Sequence, residues 1–148
     1  MAIINGTNDS EILNSLNTLD ESNIINGFGG NDTLQGGDGD DTLDGGTGSD
    51  FLQGGFSSDT YIVDNVGEDL LCFSARGFGG ELVGQALLDQ SQFTLGAAAT
   101  SSSDRFIYDS DTGNLFFDID GTGDIAQVQI ATLSSGLAMT NADIFIFA

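Results

Sequence analysis

The sequence contains no histidine, lysine, proline or tryptophan, and its only basic residues are Arg76 and Arg105. Without His or Lys, a Ser or Cys nucleophile lacks its usual general base. We therefore expect that the protein is not an enzyme.

The net charge is −21, from 23 acidic residues against two basic ones. Such a charge excludes nucleic acid and anionic membranes as electrostatic partners, because both are negatively charged. Self-repulsion also opposes collapse of the chain when cations are absent. The composition predicts a chain that is loose where cations are scarce and folded where they are plentiful.

The single cysteine, Cys72, excludes an internal disulfide. Its neighbours Leu71 and Phe73 indicate a buried small hydrophobe, and an intermolecular disulfide is the alternative. Residues Met1–Ser10 have neither the cationic start nor the apolar run of an N-terminal signal peptide. No apolar stretch is long enough to span a membrane, so we expect no membrane insertion.

Glycine is abundant, at 22 residues, and many of these belong to a nine-residue repeat between Gly27 and Ile62. Its units are Gly27–Gln35, Gly36–Asp44, Gly45–Gln53 and Gly54–Ile62. The sixth place always holds an aspartate: Asp32, Asp41, Asp50 and Asp59. The eighth place holds a large apolar or aromatic residue: Leu34, Leu43, Leu52 and Tyr61. A repeat this regular has to be interpreted before any other feature.

Each unit of the repeat predicts one turn and one short strand. The glycines supply the positive-φ backbone of a tight turn, and the eighth residue points inward from the strand. Since each unit reverses the chain once, two units make one coil, and residues two units apart stack. We therefore expect Leu34 to lie over Leu52, and Leu43 over Tyr61.

The same stacking brings the aspartates together in pairs, Asp32 with Asp50 and Asp41 with Asp59. Unpaired carboxylates at close range repel. Ca²⁺ takes six to eight oxygen ligands at about 2.3–2.6 Å and fits such a site better than Mg²⁺. The candidate calcium ligands are the sixth-place side chains and the carbonyls of the turns: Asn23, Gly27, Gly29, Asp32, Gly36, Gly37, Asp38, Gly39, Asp41, Gly45, Gly46, Gly48, Asp50, Gly54, Gly55 and Asp59.

The repeat resembles the RTX family of calcium-binding parallel β-rolls, whose unit reads Gly-Gly-x-Gly-x-Asp-x-U-x with U a large apolar residue. Gly36–Asp44 and Gly45–Gln53 match fully. Phe28 replaces the second-place glycine of the first unit, and Ser57 replaces the fourth-place glycine of the last. A flexible glycine-rich linker does not keep an apolar residue in fixed phase with an aspartate. The resemblance implies a calcium-loaded roll and a secreted bacterial protein.

Residues 1–26 are interpreted as degraded copies of the unit. Asn23 and Ile25 keep the sixth and eighth places, and Asn14 and Leu16 keep them one unit earlier. Asn23 either completes a weakened calcium site with Asp41 or belongs to a cap that binds no metal. Asp41 then lies between two partners, so Asp41→Ala is expected to weaken calcium-induced folding more than Asp50→Ala.

The predicted fold is all-β, with a short parallel β-roll in residues 1–63 and a mainly antiparallel C-terminal capping and export region in residues 64–148. The predicted elements of the second region are strands at Val66–Phe73, Arg105–Tyr108, Asn114–Ile119, Ile125–Leu133 and Ile144–Phe147, and a helix at Glu81–Leu88. The alternation of Ala126, Val128 and Ile130 predicts one buried face. Asp118–Asp124 is interpreted as a hairpin turn whose acids face water, with a second calcium site as the alternative.

The ending Ala142–Ala148 looks like the uncleaved C-terminal export signal of type I secretion substrates. The alternative is an edge strand that closes the C-terminal sheet. With no N-terminal signal, the resemblance implies type I secretion machinery as a partner and an extracellular or cell-surface location.

We hypothesise a secreted calcium-binding structural or surface protein that folds and self-associates into a filament, lattice or oligomer when calcium binds. Its contacts are expected at the N-terminal coils and at Ile144–Phe147. A start at Met1 with no catalytic domain ahead favours this hypothesis over a non-catalytic export-and-folding module of a larger secreted protein. A polysaccharide enzyme with paired carboxylates is the third alternative, but calcium would neutralise the closely spaced acids.

Overall fold

The computed structural model describes residues 1–15, 21–63, 69–78, 82, 84 and 86–147. These residues form two β-sheets that face each other across one apolar core. The strands are β1 Ile3–Asn5, β2 Ile12–Asn14, β3 Ile24–Asn26, β4 Thr33–Asp38, β5 Thr42–Gly46, β6 Phe51–Phe56, β7 Asp59–Val63, β8 Leu70–Ser74, β9 Ala86–Leu87, β10 Phe93–Leu95, β11 Phe106–Asp109, β12 Asn114–Phe117, β13 Val128–Thr132 and β14 Ile144–Phe147.

The N-terminal half is a parallel β-roll in which successive strands alternate between the two sheets. One sheet has the order β1-β3-β5-β7 in this half and the other has β2-β4-β6-β8. Leu34 pairs with Leu52, and Leu43 pairs with Tyr61, so the predicted stacking is confirmed. These eighth-place side chains are at most 1% exposed and form the centre of the core.

The first coil is longer than the others. Leu13 pairs with Leu34, and Ile4 pairs with Ile25, a separation of 21 residues in place of the 18 between Asp32 and Asp50. The assignment of Asn14 to the sixth place is therefore wrong, since Asn14 pairs with Gln35 at the ninth. Leu16 lies outside the described residues.

The C-terminal half continues both sheets of the roll. β13 pairs in parallel with β7, and β14 pairs in parallel with β8. Within this half β11, β12 and β13 form antiparallel pairs, and β9 is antiparallel to β14. The all-β fold is confirmed, and the boundary at residues 63 and 64 stays a prediction.

β14 is an interior strand, flanked by β8 and β9. The prediction of a free contact edge at Ile144–Phe147 is therefore wrong. Ile144 and Ile146 are 0% and 1% exposed, because they pair with the buried residues Leu71 and Phe73 of β8 and extend the core. A strand that closes the sheet on the roll leaves no unpaired edge of its own.

The predicted helix at Glu81–Leu88 is wrong over its described end, which is β9. Ala86 and Leu87 pair with Ile146 and Phe145, and this tertiary pairing overrides a weak local helical pattern. A single helical turn, α1, occupies Ala75–Phe78 instead. Residues 81, 83 and 85 lie outside the described residues, as do 66–68 of the strand predicted at Val66–Phe73.

Two further predictions concern burial. The buried face predicted at Ala126, Val128 and Ile130 is confirmed only for Ile130. Ala126 and Val128 are exposed, while Ala131 and Leu133 are buried, because a bulge opposite Leu115 and Phe116 reverses the alternation of β13. Cys72 is buried as predicted, and burial raises the pKa of its thiol to about 12. No helix in the described ranges is long and apolar enough to cross a membrane.

Candidate calcium centre

The turns of the roll lie along two opposite edges, each carrying a column of sixth-place residues. Hydrogen bonds between successive coils define edge one as Glu11, Asp32, Asp50 and Asp69, and edge two as Ala2, Asn23, Asp41 and Asp59. The carboxylates of the four recognised units are 1% to 5% exposed. The repeat therefore buries negative charge at every coil.

Hydrogen bonds link each carboxylate to the coil before it. Asp50 Oδ1 accepts the Asp32 N–H at 2.8 Å, and Asp59 Oδ1 accepts the Asp41 N–H at 3.0 Å. Asp41 Oδ1 accepts the Asn23 N–H at 2.7 Å. The predicted pairs Asp32/Asp50 and Asp41/Asp59 are thus neighbours in the structure, joined through Oδ1.

The second carboxylate oxygen points to the first-place glycine of its own unit. At Gly27, a Cβ would lie 2.6 Å from Asp32 Oδ2 and 2.5 Å from the carbonyl oxygen of Gly45 in the next coil. At Gly36 it would collide with Asp41 Oδ2 and lie 2.5 Å from the carbonyl oxygen of Gly54. Only glycine leaves this space open, so carboxylate and carbonyl oxygens converge on one small cradle per repeat unit.

These cradles fit a hard cation. Asp32 Oδ2 and Asp41 Oδ2 are buried and accept no hydrogen bond within the described part of the chain. An isolated buried carboxylate costs several kcal/mol, roughly, unless it is paired or coordinates a metal. No three His, Cys, Asp or Glu side chains converge among the described residues, so calcium here would take backbone carbonyls as well as carboxylates.

The remaining predicted ligands lie in the same turns. A Cβ at Gly45 would collide with Asp50 Oδ2, and a Cβ at Gly54 would collide with Asp59 Oδ2. Gly29 bridges to Thr47 of the next coil, and Asp38 ends β4 at the third place. The second- and fourth-place glycines shape the turns with positive φ: Gly37, Gly39, Gly46, Gly48 and Gly55, together with Gly30, which the predicted ligand set omits.

Asn23 is joined to its neighbours by hydrogen bonds. Its Oδ1 accepts the Ala2 N–H at 2.9 Å, and its Nδ2 donates to Asp41 Oδ1 at 3.0 Å and to the Glu21 carbonyl at 2.6 Å. The amide nitrogen faces the oxygens that a cation would otherwise bridge. This geometry favours the metal-free cap over the weakened calcium site.

The loop Asp118–Asp124 is closed by its own first carboxylate. Asp118 is 5% exposed, and its Oδ1 accepts the N–H groups of Asp120 and Gly121 at 3.1 and 2.9 Å. The prediction that its acids face water is wrong for Asp118, which the turn buries.

Burial also shifts the pKa values of edge two. Burial raises the pKa of Asp59 to about 7, with a further increase from the charges of Asp41 and Asp40 and an opposing hydrogen bond from the Asp41 N–H. Burial likewise raises the pKa of Asp41. In the absence of a cation, the folded Asp59 therefore holds a proton up to a pH of about 7, whereas the unfolded chain has already lost it.

We expect the calcium-free protein to become less stable as the pH rises from 5.5 to 7.5. Across this window the folded Asp59 loses a proton that the unfolded chain, with a pKa near 3.8, has already released, so stability falls with pH. Denaturant unfolding in chelator at both pH values measures the effect. An Asp59→Asn variant should show a flatter dependence, and a stability that rises with pH in the native chain would contradict it.

Two units depart from glycine at a turn position. Phe28 and Ser57 have φ values of 71° and 85°, the only positive φ values of non-glycine residues in the described ranges. They occupy the second and fourth places, where the other units have glycine. The repeat geometry imposes the left-handed conformation at these positions whatever residue is present. Phe28 and Ser57 are therefore held in a strained backbone conformation.

Phe28→Gly and Ser57→Gly should each stabilise the calcium-bound protein. Relief of about 1–2 kcal/mol of left-handed strain exceeds the entropic cost of glycine, about 0.5–1 kcal/mol. Thermal unfolding in saturating calcium should show a higher Tm for both. Phe56→Gly is the control, since Phe56 is 64% exposed and has no positive φ. A lower Tm in the Phe28→Gly and Ser57→Gly variants would contradict the claim that these residues are strained.

The fold and the two edges together define a calcium-binding parallel β-roll. Residues 26–61 match the RTX calcium-binding nonapeptide repeat in four copies, so this segment of the chain is an RTX-repeat region. No curated protein matches the chain. The matched segment covers the four units of the sequence analysis except the last residue, Ile62, and leaves Glu11 and Asp69 outside it.

Proposed function

We propose that this is a secreted, non-catalytic structural or surface protein whose roll is folded by calcium and whose copies then associate. The observation that carries the proposal is the pair of carboxylate columns, since Asp32 Oδ2 and Asp41 Oδ2 are buried without a hydrogen bond in the described ranges. A net charge of −21 adds repulsion that only cations relieve. Calcium is plentiful outside cells, which suits an extracellular site of folding.

Export through a C-terminal signal is part of the proposal. Asp143 is 5% exposed and caps a 3₁₀ turn with Thr140, and Ile144 and Ile146 are core residues. The folded state buries the segment that the secretion machinery would recognise. Export of an unfolded chain, followed by folding in calcium, reconciles the two roles.

Association is proposed through the N-terminal coil. β1 pairs only with β3 and β2 only with β4 among the described strands, which leaves two unpaired edges at one end of the roll. Ile3 and Ile12 on these strands are 60% and 72% exposed. Unpaired edges are templates for another strand. Because the C-terminal half covers the other end, like ends would meet, and a closed dimer is expected in place of a filament.

Light scattering with and without calcium tests this proposal. The protein should be a monomer in chelator and a dimer in millimolar calcium. An Ile3→Ser/Ile12→Ser variant should stay monomeric and still bind calcium, whereas Val128→Ser, at a residue 63% exposed, should dimerise like the native chain. A monomer at high concentration in saturating calcium would refute association and leave calcium binding in place.

A non-catalytic export-and-folding module of a larger secreted protein is the second candidate. It is favoured by the pairing of β13 and β14 with β7 and β8, which makes the roll and the C-terminal half one folding unit. A calcium-bound monomer in the scattering experiment supports this candidate.

A further inference from the structure

Residues Gly6–Asn14 form a repeat unit that the glycine pattern hides. Its sixth-place residue is Glu11, whose N–H donates to Asp32 Oδ1 at 2.8 Å. A Cβ at Gly6 would lie 2.6 Å from Glu11 Oε2 and 2.9 Å from the carbonyl oxygen of Gly27. This is the cradle seen at Gly27, one coil earlier and with glutamate in place of aspartate.

Asp69 continues the same column at the other end. Its Oδ1 accepts the Asp50 N–H at 3.0 Å, as Asp50 Oδ1 accepts the Asp32 N–H at 2.8 Å. The following N–H, of Leu70, donates to the Asp50 carbonyl at 2.7 Å, so the strand pairing also repeats. Asp69 is 5% exposed and lies 19 residues after Asp50, a spacing that a search for a regular unit passes over.

Asp32 lies on edge one between Glu11 and Asp50, and its buried carboxylate has the property expected of a metal ligand. It is 2% exposed, and its Oδ2 accepts no hydrogen bond in the described part of the chain. That oxygen borders the space above Gly27, and the Gly27 carbonyl oxygen and Glu11 Oε2 both border the corresponding space above Gly6. The oxygens of two successive coils thus face one another along edge one, and a cation is the partner that satisfies them.

We propose that edge one binds calcium beyond the recognised repeats, at one site shared by Glu11 and Asp32 and at another shared by Asp50 and Asp69. The inference rests on the proposed calcium binding and adds two sites to it. Edge two is not extended, because its column ends in neutral residues: the Asn23 amide and Ala2 at one end, and Ala131 in register with Asp59 at the other.

The two added sites differ in strength. Asp69 and Asp50 are both buried, so their ion is held by carboxylates shielded from water. Glu11 is half-buried, and its Oε2 also accepts the Thr7 N–H at 2.6 Å. Calcium affinity depends on ligand charge and site rigidity, so the Glu11 site is the weaker of the two.

Counting bound calcium by titration calorimetry tests the inference on the full chain. Glu11→Gln and Asp69→Asn keep an oxygen that accepts the existing hydrogen bonds but remove the charge. Each should bind about one ion fewer than the native protein, and the double variant about two fewer. The control is Asp9→Asn, at an exposed acid of the same first coil, which should bind the native number.

A variant that gains an ion guards against losses caused by misfolding. Asn23→Asp puts a carboxylate at the neutral level of edge two, beside the Glu21 carbonyl, and should add about one ion. Native ion counts in Glu11→Gln and Asp69→Asn, alongside a loss in Asp41→Asn, would overturn the extension and leave the proposed function standing. If the native chain binds no calcium at all, both fail.

Discussion

An Asp41→Asn/Asp59→Asn variant is expected to be more stable than the native chain in chelator and less stable in saturating calcium. Both side chains keep the Oδ1 that accepts the N–H of the preceding coil, so the hydrogen-bond column survives. In chelator above pH 7, where the native Asp59 is ionised, the variant no longer buries these like charges. In calcium, it loses an ion whose binding stabilises the fold by about 2.7 kcal/mol at a hundredfold excess over Kd.

Denaturant unfolding of both proteins, each in chelator and in calcium, measures this reversal in the order of their stabilities. Asp124→Asn is the matched control, because it removes an exposed charge outside the roll and should change both stabilities little. If the double variant is destabilised equally in the two conditions, the carboxylates are structural and do not bind an ion.

Ile146→Ala is expected to destabilise the whole protein, including the roll. Ile146 is 1% exposed on a strand that pairs directly with β8 of the roll. Truncating a buried isoleucine to alanine costs about 2–5 kcal/mol, a large part of the roughly 5–15 kcal/mol that stabilises a typical protein.

The control for this loss is Ile125→Ala, the same truncation at a residue that is 57% exposed, which should stay within about 0.5 kcal/mol of the native stability. Calcium-saturated protein should unfold in one transition in both variants. Equal, small losses would mean that β14 does not complete the core of the roll.

The roll could be predicted from the sequence because its signal is local and periodic. Glycine at fixed turn positions and Leu34, Leu43, Leu52 and Tyr61 in fixed phase leave one register, and the strand pairing confirms it. The aspartate column follows from the same period. The prediction fails where the period changes length, as in the first coil, where Leu13 takes the inward position opposite Leu34.

Asp69 was also missed, because it lies 19 residues after Asp50 and not 18. Its position changes the expected effect of one substitution. Asp41 was predicted to be the shared carboxylate, but Asp50 also lies between two acids, Asp32 and Asp69. Asp50→Ala is therefore expected to weaken calcium-induced folding at least as much as Asp41→Ala. Titration calorimetry of the two variants shows which substitution weakens calcium binding more.

The C-terminal half was less predictable because its elements depend on distant partners. Ala86 and Leu87 form a strand only because β14 lies beside them. A bulge turns Val128 outward and Ala131 inward, and no residue type marks it in advance. The parallel pairing of β13 and β14 with the roll joins segments far apart in the chain, and no local pattern encodes such a contact.

Hydrogen exchange of the native chain, with calcium and with chelator, tests calcium-driven folding most directly. Amides of residues 27–62 in the strands β4 to β7 should be strongly protected in calcium and should exchange markedly faster in chelator, because the buried carboxylates of edges one and two destabilise the roll when no cation is bound. Protection of these strands that is the same in chelator as in calcium would contradict a roll folded by the ion.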